Sequence, residues 1–215
     1  MNLKAAFVLA FLIPIRMEAS TLVCLGDSIT AGYGLDEMQA YPALLLRELP
    51  GWSIVNAGVS GDTTAGGLKR LNWILKSKPE AVLVALGGND GLRGIKAAET
   101  EKNLDALLAK IKAAGAKAYL AGMMVPTSYG ADYFFDVKVL YPRVAKRAGV
   151  PLFPFLLEGV GGKPELNQAD GLHPTAEGQK ILAKNIGAFL RARLPKVEAR
   201  KATLPVKTIR SRRDL

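Results

Sequence analysis

Short apolar runs without polar alternation, separated by stretches of helical periodicity, constrain this chain more than any other feature. Leu22-Val23-Cys24-Leu25, Ser53-Ile54-Val55, Ala81 to Leu86 and Ala118 to Ala121 have the length and composition of strands. Several lack the in-out alternation of a half-exposed sheet, which is the mark of parallel strands buried on both faces. After the third of them, Leu104, Leu107, Leu108 and Ile111 recur at i, i+3, i+4 and i+7, the pattern of a helix with one core face, and Gly115 is a suitable stop for it. Leu44 to Leu49, Leu68 to Leu75, Val137 to Ala148 and Ile181 to Leu190 read as further helices, and a fifth strand is expected near Pro151 to Phe155. The order βαβαβαβαβα predicts an α/β fold: a three-layer αβα sandwich around a doubly wound, five-stranded parallel sheet. In such a sheet, binding and chemistry gather at the carboxyl ends of the strands.

A chain of 215 residues fits one such domain. It buries roughly 70% of the surface its unfolded form would expose, so stability needs no disulfide or structural metal. The single cysteine, Cys24, cannot form an internal disulfide, and one Cys with one His cannot build a zinc site. No metal and no cofactor are therefore expected. An apolar fraction of 49% excludes disorder of the whole chain and a polytopic membrane protein.

The net charge of +10 suggests a nucleic-acid partner until it is located. Residues 191–215 hold nine Lys and Arg against only Glu198 and Asp214, so the body is close to neutral. Residues 195–215 are expected to form a basic, flexible tail. A weak contact with an anionic membrane surface is its alternative use. No nucleic-acid partner is expected, because no aromatic residue follows Phe189 to stack on bases. At the other end, Lys4 precedes an uncharged run from Ala5 to Ile15, and Ala19 is a suitable last residue before cleavage. Residues 1–19 thus read as a secretory signal peptide, although Met17 weakens the cleavage site, and a periplasmic or secreted domain 20–194 follows. An uncleaved apolar arm, leaving the protein in the cytoplasm, is the alternative. Val23 before Cys24 does not suit a lipoprotein signal.

Four segments at strand ends or before the last helix are rich in glycine and polar residues. They are Gly26-Asp27-Ser28-Ile29-Thr30, Asn56 to Thr63, Gly87-Gly88-Asn89-Asp90 and Asp170-Gly171-Leu172-His173-Pro174. His173 is the only histidine, so any imidazole base must be this residue, and Asp170 stands three positions before it, within reach across a turn. Each residue has an ordinary structural role as well. Ser28 can be a helix cap, Gly61 a turn glycine, Asn89 an Asx-turn residue and His173 a surface turn residue. A Gly-Asp-Ser tripeptide alone turns up by chance in roughly one chain in twenty of this length. Their conjunction is more specific: a hydroxyl nucleophile, donors for an oxyanion at Gly61 and Asn89, and a base with its carboxylate all fall where this fold builds its site. A metal phosphoesterase using Asp27, Asp62, Asp90 and Asp170 and an acyl-chain binding protein on the same fold are the competing readings.

Leu25-Gly26-Asp27-Ser28, Ser60-Gly61-Asp62-Thr63, the run Leu86 to Gly94 and Asp170 to Pro174 resemble the four blocks of the SGNH hydrolases, the GDSL esterase/lipase family. The likeness covers about Thr21 to Leu190 and is greatest to the bacterial multifunctional acyl-CoA thioesterase, arylesterase and lysophospholipase branch. Gly87-Gly88-Asn89-Asp90-Gly91-Leu92-Arg93-Gly94 is its most specific stretch. The resemblance implies a flavodoxin-like sandwich and hydrolysis of small-molecule carboxylic esters and thioesters. It makes Ser28 the nucleophile, His173 the base and Asp170 the acid that orients it. The oxyanion hole would be the N–H groups of Ser28 and Gly61 and the side chain of Asn89. An acyl groove near the ends of the third and fourth strands would draw on Leu92, Ile95, Met123, Val125, Tyr129 and Phe134, each of which can equally be core. Three departures are visible: the basic tail, the glycine-rich loop Gly32-Tyr33-Gly34, and Val125 at a place where leucine is expected.

Overall fold

A computed structural model describes residues 20–196 and 207–208. The proposed signal segment 1–19 and most of the basic tail lie outside the described residues. The five expected strands are β1 (Thr21–Gly26), β2 (Ser53–Gly58), β3 (Ala81–Ala85), β4 (Lys117–Ala121) and β5 (Leu152–Phe153), and all neighbouring pairs are parallel. The order β5-β4-β3-β1-β2 is the flavodoxin-like one, with its reversal between β1 and β3. A two-residue strand, β6 (Lys207–Thr208), pairs in parallel with Val55 and Asn56 on the outer edge of β2. Expected from sequence only as tail, this segment finds the unpaired backbone groups that any edge strand presents.

The longer helices are α2 (Tyr41–Glu48), α3 (Thr64–Leu75), α5 (Ala97–Ala113), α6 (Ala131–Ala148) and α7 (Ala176–Arg191). Two short ones, α1 (Ser28–Ala31) and α4 (Gly88–Leu92), begin directly after β1 and β3. Helix α2 packs on α7, while α3, α5 and α6 pack in a row on the other layer. The central strands are buried throughout: Leu22 to Leu25 and Ala81 to Leu86 have no exposed surface. That is why their sequences show no alternation. Thr63 caps α3 by accepting from the Gly66 N–H, and Thr175 caps α7 by accepting from the Gly178 N–H. Helix α5 ends at Ala113, two residues before Gly115, which takes the left-handed conformation expected of a helix stop. Pro142 sits inside α6 and removes one hydrogen bond from its ladder. No helix among the described residues is long and apolar enough to cross a membrane.

Candidate active site

The first strand delivers Ser28. Backbone pairing to β2 and β3 holds β1 on both sides, and the chain turns into α1 immediately after Gly26. Asp27 caps that turn, its Oδ1 accepting the Ile29 N–H at 3.0 Å. Ser28 is the first helical residue, 9% exposed, so its N–H has no acceptor within the helix and points out of the helix start. Burial pushes the Asp27 carboxyl up to about 6, because water is excluded from it and the Ile29 N–H offsets this only in part.

His173 comes from the last block. Asp170 Oδ1 accepts the N–H groups of Leu172 (2.9 Å) and His173 (3.0 Å), which winds residues 170–173 into an Asx-type turn. The turn brings Asp170 Oδ2 to 2.7 Å from His173 Nδ1, and His173 Nε2 to 2.8 Å from Ser28 Oγ. With the proton on Nδ1, the ring donates to Asp170 and accepts from the Ser28 hydroxyl. The two backbone N–H groups and the ring of His173 hold the Asp170 carboxyl down to about 2, so it stays ionised at neutral pH. Three side chains expected on sequence grounds to act together are thus joined by two hydrogen bonds.

Of the remaining polar residues, Asn89 shares a cavity wall with His173, and Gly61 lies on the loop after β2. Gly61 has φ +76°, the left-handed region that favours glycine, and its N–H has no acceptor among the described residues, whereas its carbonyl takes a hydrogen bond from Arg93 Nη2 at 2.7 Å. Asn89, in α4, donates one amide hydrogen from Nδ2 to the Asp62 carbonyl at 3.0 Å and keeps a second. That bond ties the loop after β3 to the loop after β2.

The sequence missed what holds these loops. Arg70 on α3 spreads its guanidinium over Asp62 Oδ2 (2.7 Å), the Ala57 carbonyl (2.7 Å) and the Gly26 carbonyl (2.9 Å), clamping the ends of β1 and β2 to the Gly61 loop. Buried Asp90 accepts from the Thr64 N–H at 2.8 Å, from the Thr64 hydroxyl and from Thr100 Oγ1 at 3.2 Å, which fixes α4 against α3 and α5. A lone Arg two turns into an amphipathic helix was the available signal for the first. The four aspartates of the metal alternative are therefore dispersed into separate tasks: a cap, an ion pair, a buried acceptor and a histidine partner. No group of three potential ligands forms among the described residues.

A cavity of about 120 Å³ opens beside the histidine, lined by Asn89, His173, Ile29, Leu92, Met123, Met124, Val125, Pro126, Phe155, Leu157 and Leu172, with Asp27 and Gly88. Of the six residues considered for an acyl groove, Leu92, Met123 and Val125 stand in its wall. Ile95, Tyr129 and Phe134 do not. The Ile95 carbonyl receives the Tyr133 hydroxyl at 2.7 Å, the Tyr129 hydroxyl turns to the Leu92 carbonyl, and Phe134 packs against the core. Phe155, Leu157 and Leu172 replace them. The strand-end rule applied to β5 and to the base turn itself would have found these three.

A Ser28–His173–Asp170 chain of hydrogen bonds at the carboxyl ends of a flavodoxin-like sheet is the arrangement that acyl hydrolysis requires. A family model described as the GDSL-like Lipase/Acylhydrolase family matches residues 24–181, so the chain belongs to that family and is an ester-cleaving enzyme. It is 43% identical over 181 residues to "Esterase TesA" of Pseudomonas aeruginosa, covering 82% of this chain and 90% of that one. It is also 43% identical over 183 residues to "Thioesterase 1/protease 1/lysophospholipase L1" of Escherichia coli, covering 82% and 86%. A crystal structure of TesA superposes with a TM-score of 0.77 at 43% identity over 80% of this chain and 99% of the other.

Proposed function

We propose that this enzyme hydrolyses carboxylic esters and thioesters of small molecules through an acyl-enzyme on Ser28. The observation that carries the reading is the contact of 2.8 Å between His173 Nε2 and Ser28 Oγ, backed by the contact of 2.7 Å between His173 Nδ1 and Asp170. As Ser28 Oγ attacks the substrate carbonyl, His173 takes its proton, and Asp170 stabilises the imidazolium without being protonated itself. The Ser28 and Gly61 N–H groups and the free hydrogen of Asn89 receive the oxyanion. His173 then returns the proton to the leaving alcohol or thiol, and the acyl group remains on Ser28. Water attacks that acyl-enzyme with His173 again as base, releasing the acid and restoring the serine. The apolar cavity beside His173 takes the acyl chain, and the relatives named as esterase and thioesterase support both leaving groups.

Hydrolysis of p-nitrophenyl esters from acetate to palmitate, with Ser28→Ala as the blank, tests the proposal. Serine-dependent turnover is expected, and its chain-length maximum reports what the cavity holds. Turnover by Ser28→Ala within tenfold of the native enzyme would refute the assignment.

We further infer export, on the apolar run Ala5 to Ile15 after Lys4 and on Ala19. The mass of the protein recovered from a periplasmic extract checks this: loss of residues 1–19 is expected, and a full-length cytoplasmic chain would overturn it.

A further inference from the structure

The turn carrying Asp170 and His173 is held internally by the Asp170 carboxylate, and within it only the His173 side chain reaches Ser28, 145 residues away in sequence. Gln168 supplies a further link. Its backbone N–H donates to the His173 carbonyl at 2.7 Å, and its own carbonyl accepts the Gly171 N–H at 2.9 Å, so it closes the turn at the base. Its side-chain amide then reaches outward. Nε2 donates to the Pro174 carbonyl at 3.1 Å and to the Tyr33 carbonyl at 2.7 Å.

Tyr33 is tied to both Ser28 and His173. Its N–H donates to the Ser28 carbonyl at 3.0 Å, and its ring lies over the His173 imidazole with centroids 4.6 Å apart. Ser28, Tyr33, Gln168 and His173 therefore form a closed circuit, completed by the contact between His173 Nε2 and Ser28 Oγ. Gly34, next to Tyr33, has φ +76°, and a Cβ there would collide with Gln168 Oε1. Glycine at this place leaves the amide its room.

We propose that Gln168 is a positioning residue whose side-chain amide fixes the base-carrying turn against the nucleophile loop and so sets the Ser28–His173 distance during reaction. This rests on the reading of Ser28 and His173 as nucleophile and base. Without the amide, the turn keeps its internal bonds, its bridge between Asn167 and Pro174 and the ring contact with Tyr33, but loses its hydrogen bond to the backbone of the loop after β1. A displacement of about 1 Å between reacting groups can cost about a hundredfold in rate. Gln168 does not line the acyl cavity, so the loss falls on kcat and leaves KM alone.

The test compares the native full-length enzyme with Gln168→Met, Gln168→Glu and Ser28→Ala on p-nitrophenyl butyrate, measuring kcat, KM and Tm. Methionine keeps the length and bulk of the side chain without its polar ends, and glutamate keeps the shape with no N–H to give. Both variants are expected to lose about tenfold to a hundredfold in kcat with KM within twofold. Native kcat in Gln168→Met, with Ser28→Ala inactive, shows that the side chain only fills space and overturns the proposal while leaving the nucleophile intact. A loss confined to KM overturns it too. Activity in Ser28→Ala overturns the reading beneath it. Should Gln168→Met not fold, Gln168→Glu is judged by the same criteria.

Discussion

Two aspartates flank Ser28 and His173, and their environments push them in opposite directions. Asp27, sealed at the end of β1, has its carboxyl raised to about 6 by burial. Asp170, on an exposed turn, has its carboxyl lowered to about 2 by the N–H groups and ring of His173 and the N–H of Leu172. The same contrast runs through the two halves of the site. Ser28 is placed by the core: β1 lies between two parallel partners, and Cys24 and Leu25 before it are fully buried. His173 is placed by hydrogen bonds within a loop whose Leu172 is 43% exposed. One half is held by apolar packing that resists displacement, the other by a few polar contacts that can be removed singly.

The largest effect expected is one the two halves share. Ser28→Ala and His173→Ala each lower kcat by at least about a thousandfold, roughly 4 kcal/mol of barrier. If either variant retained a tenth of native turnover, the two halves would not be parts of one device. Stability should separate them instead. Leu83→Ala, in the fully buried strand beside β1, is expected to cost about 2–5 kcal/mol, whereas Leu172→Ala in the base turn should stay within about 0.5 kcal/mol. Urea unfolding of both variants decides this, and equal losses would break the comparison.

The pH dependence of folding sharpens it further. Because the folded-state pKa of Asp27 is raised, the native state keeps a proton between about pH 4 and 6 that the unfolded chain has released, so stability falls as pH rises through that window. Relative to Asp27→Asn, which retains the cap acceptor, the native protein should lose about 3 kcal/mol between pH 4 and pH 8. Parallel stability curves for the two proteins would show that the carboxyl is not confined as described. Asp170 has the opposite sign: its contribution is present above about pH 4 and disappears as pH falls toward 2. A smaller loss of kcat than at Ser28 or His173 is expected at the proposed oxyanion donor Asn89. Asn89→Ala should lower kcat by about a hundredfold, less than loss of Ser28 or His173, because two backbone donors remain. Unchanged kcat would remove Asn89 from the hole.

Most of the frame was legible in the residues. Parallel strands buried on both faces must be apolar along their whole length, so Leu22 to Leu25 and Ala81 to Leu86 announce themselves. The helix carrying Leu104 to Ile111 shows its core face by spacing alone. Boundaries were less visible: α6 begins six residues before the Val137 expected from its apolar stripe, because its first turns are only partly buried. The helices α1 and α4 are too short for any periodicity to reveal.

By itself the sequence determined the strand-helix alternation, the four polar blocks at strand ends and the identity of the lone imidazole. These are local properties: a burial pattern repeats within a dozen residues, and a single histidine leaves no choice of base. Tertiary structure alone decided which apolar side chains wall the cavity, admitting Phe155, Leu157 and Leu172 in place of Ile95, Tyr129 and Phe134. It also decided that Arg70 clamps the ends of β1 and β2 and that Gln168 reaches Tyr33 across 135 positions of chain. Such contacts depend on the relative placement of loops distant in sequence, which no local pattern encodes, because a half-buried polar residue looks the same whether its partner is water or a carbonyl on the far side of the site.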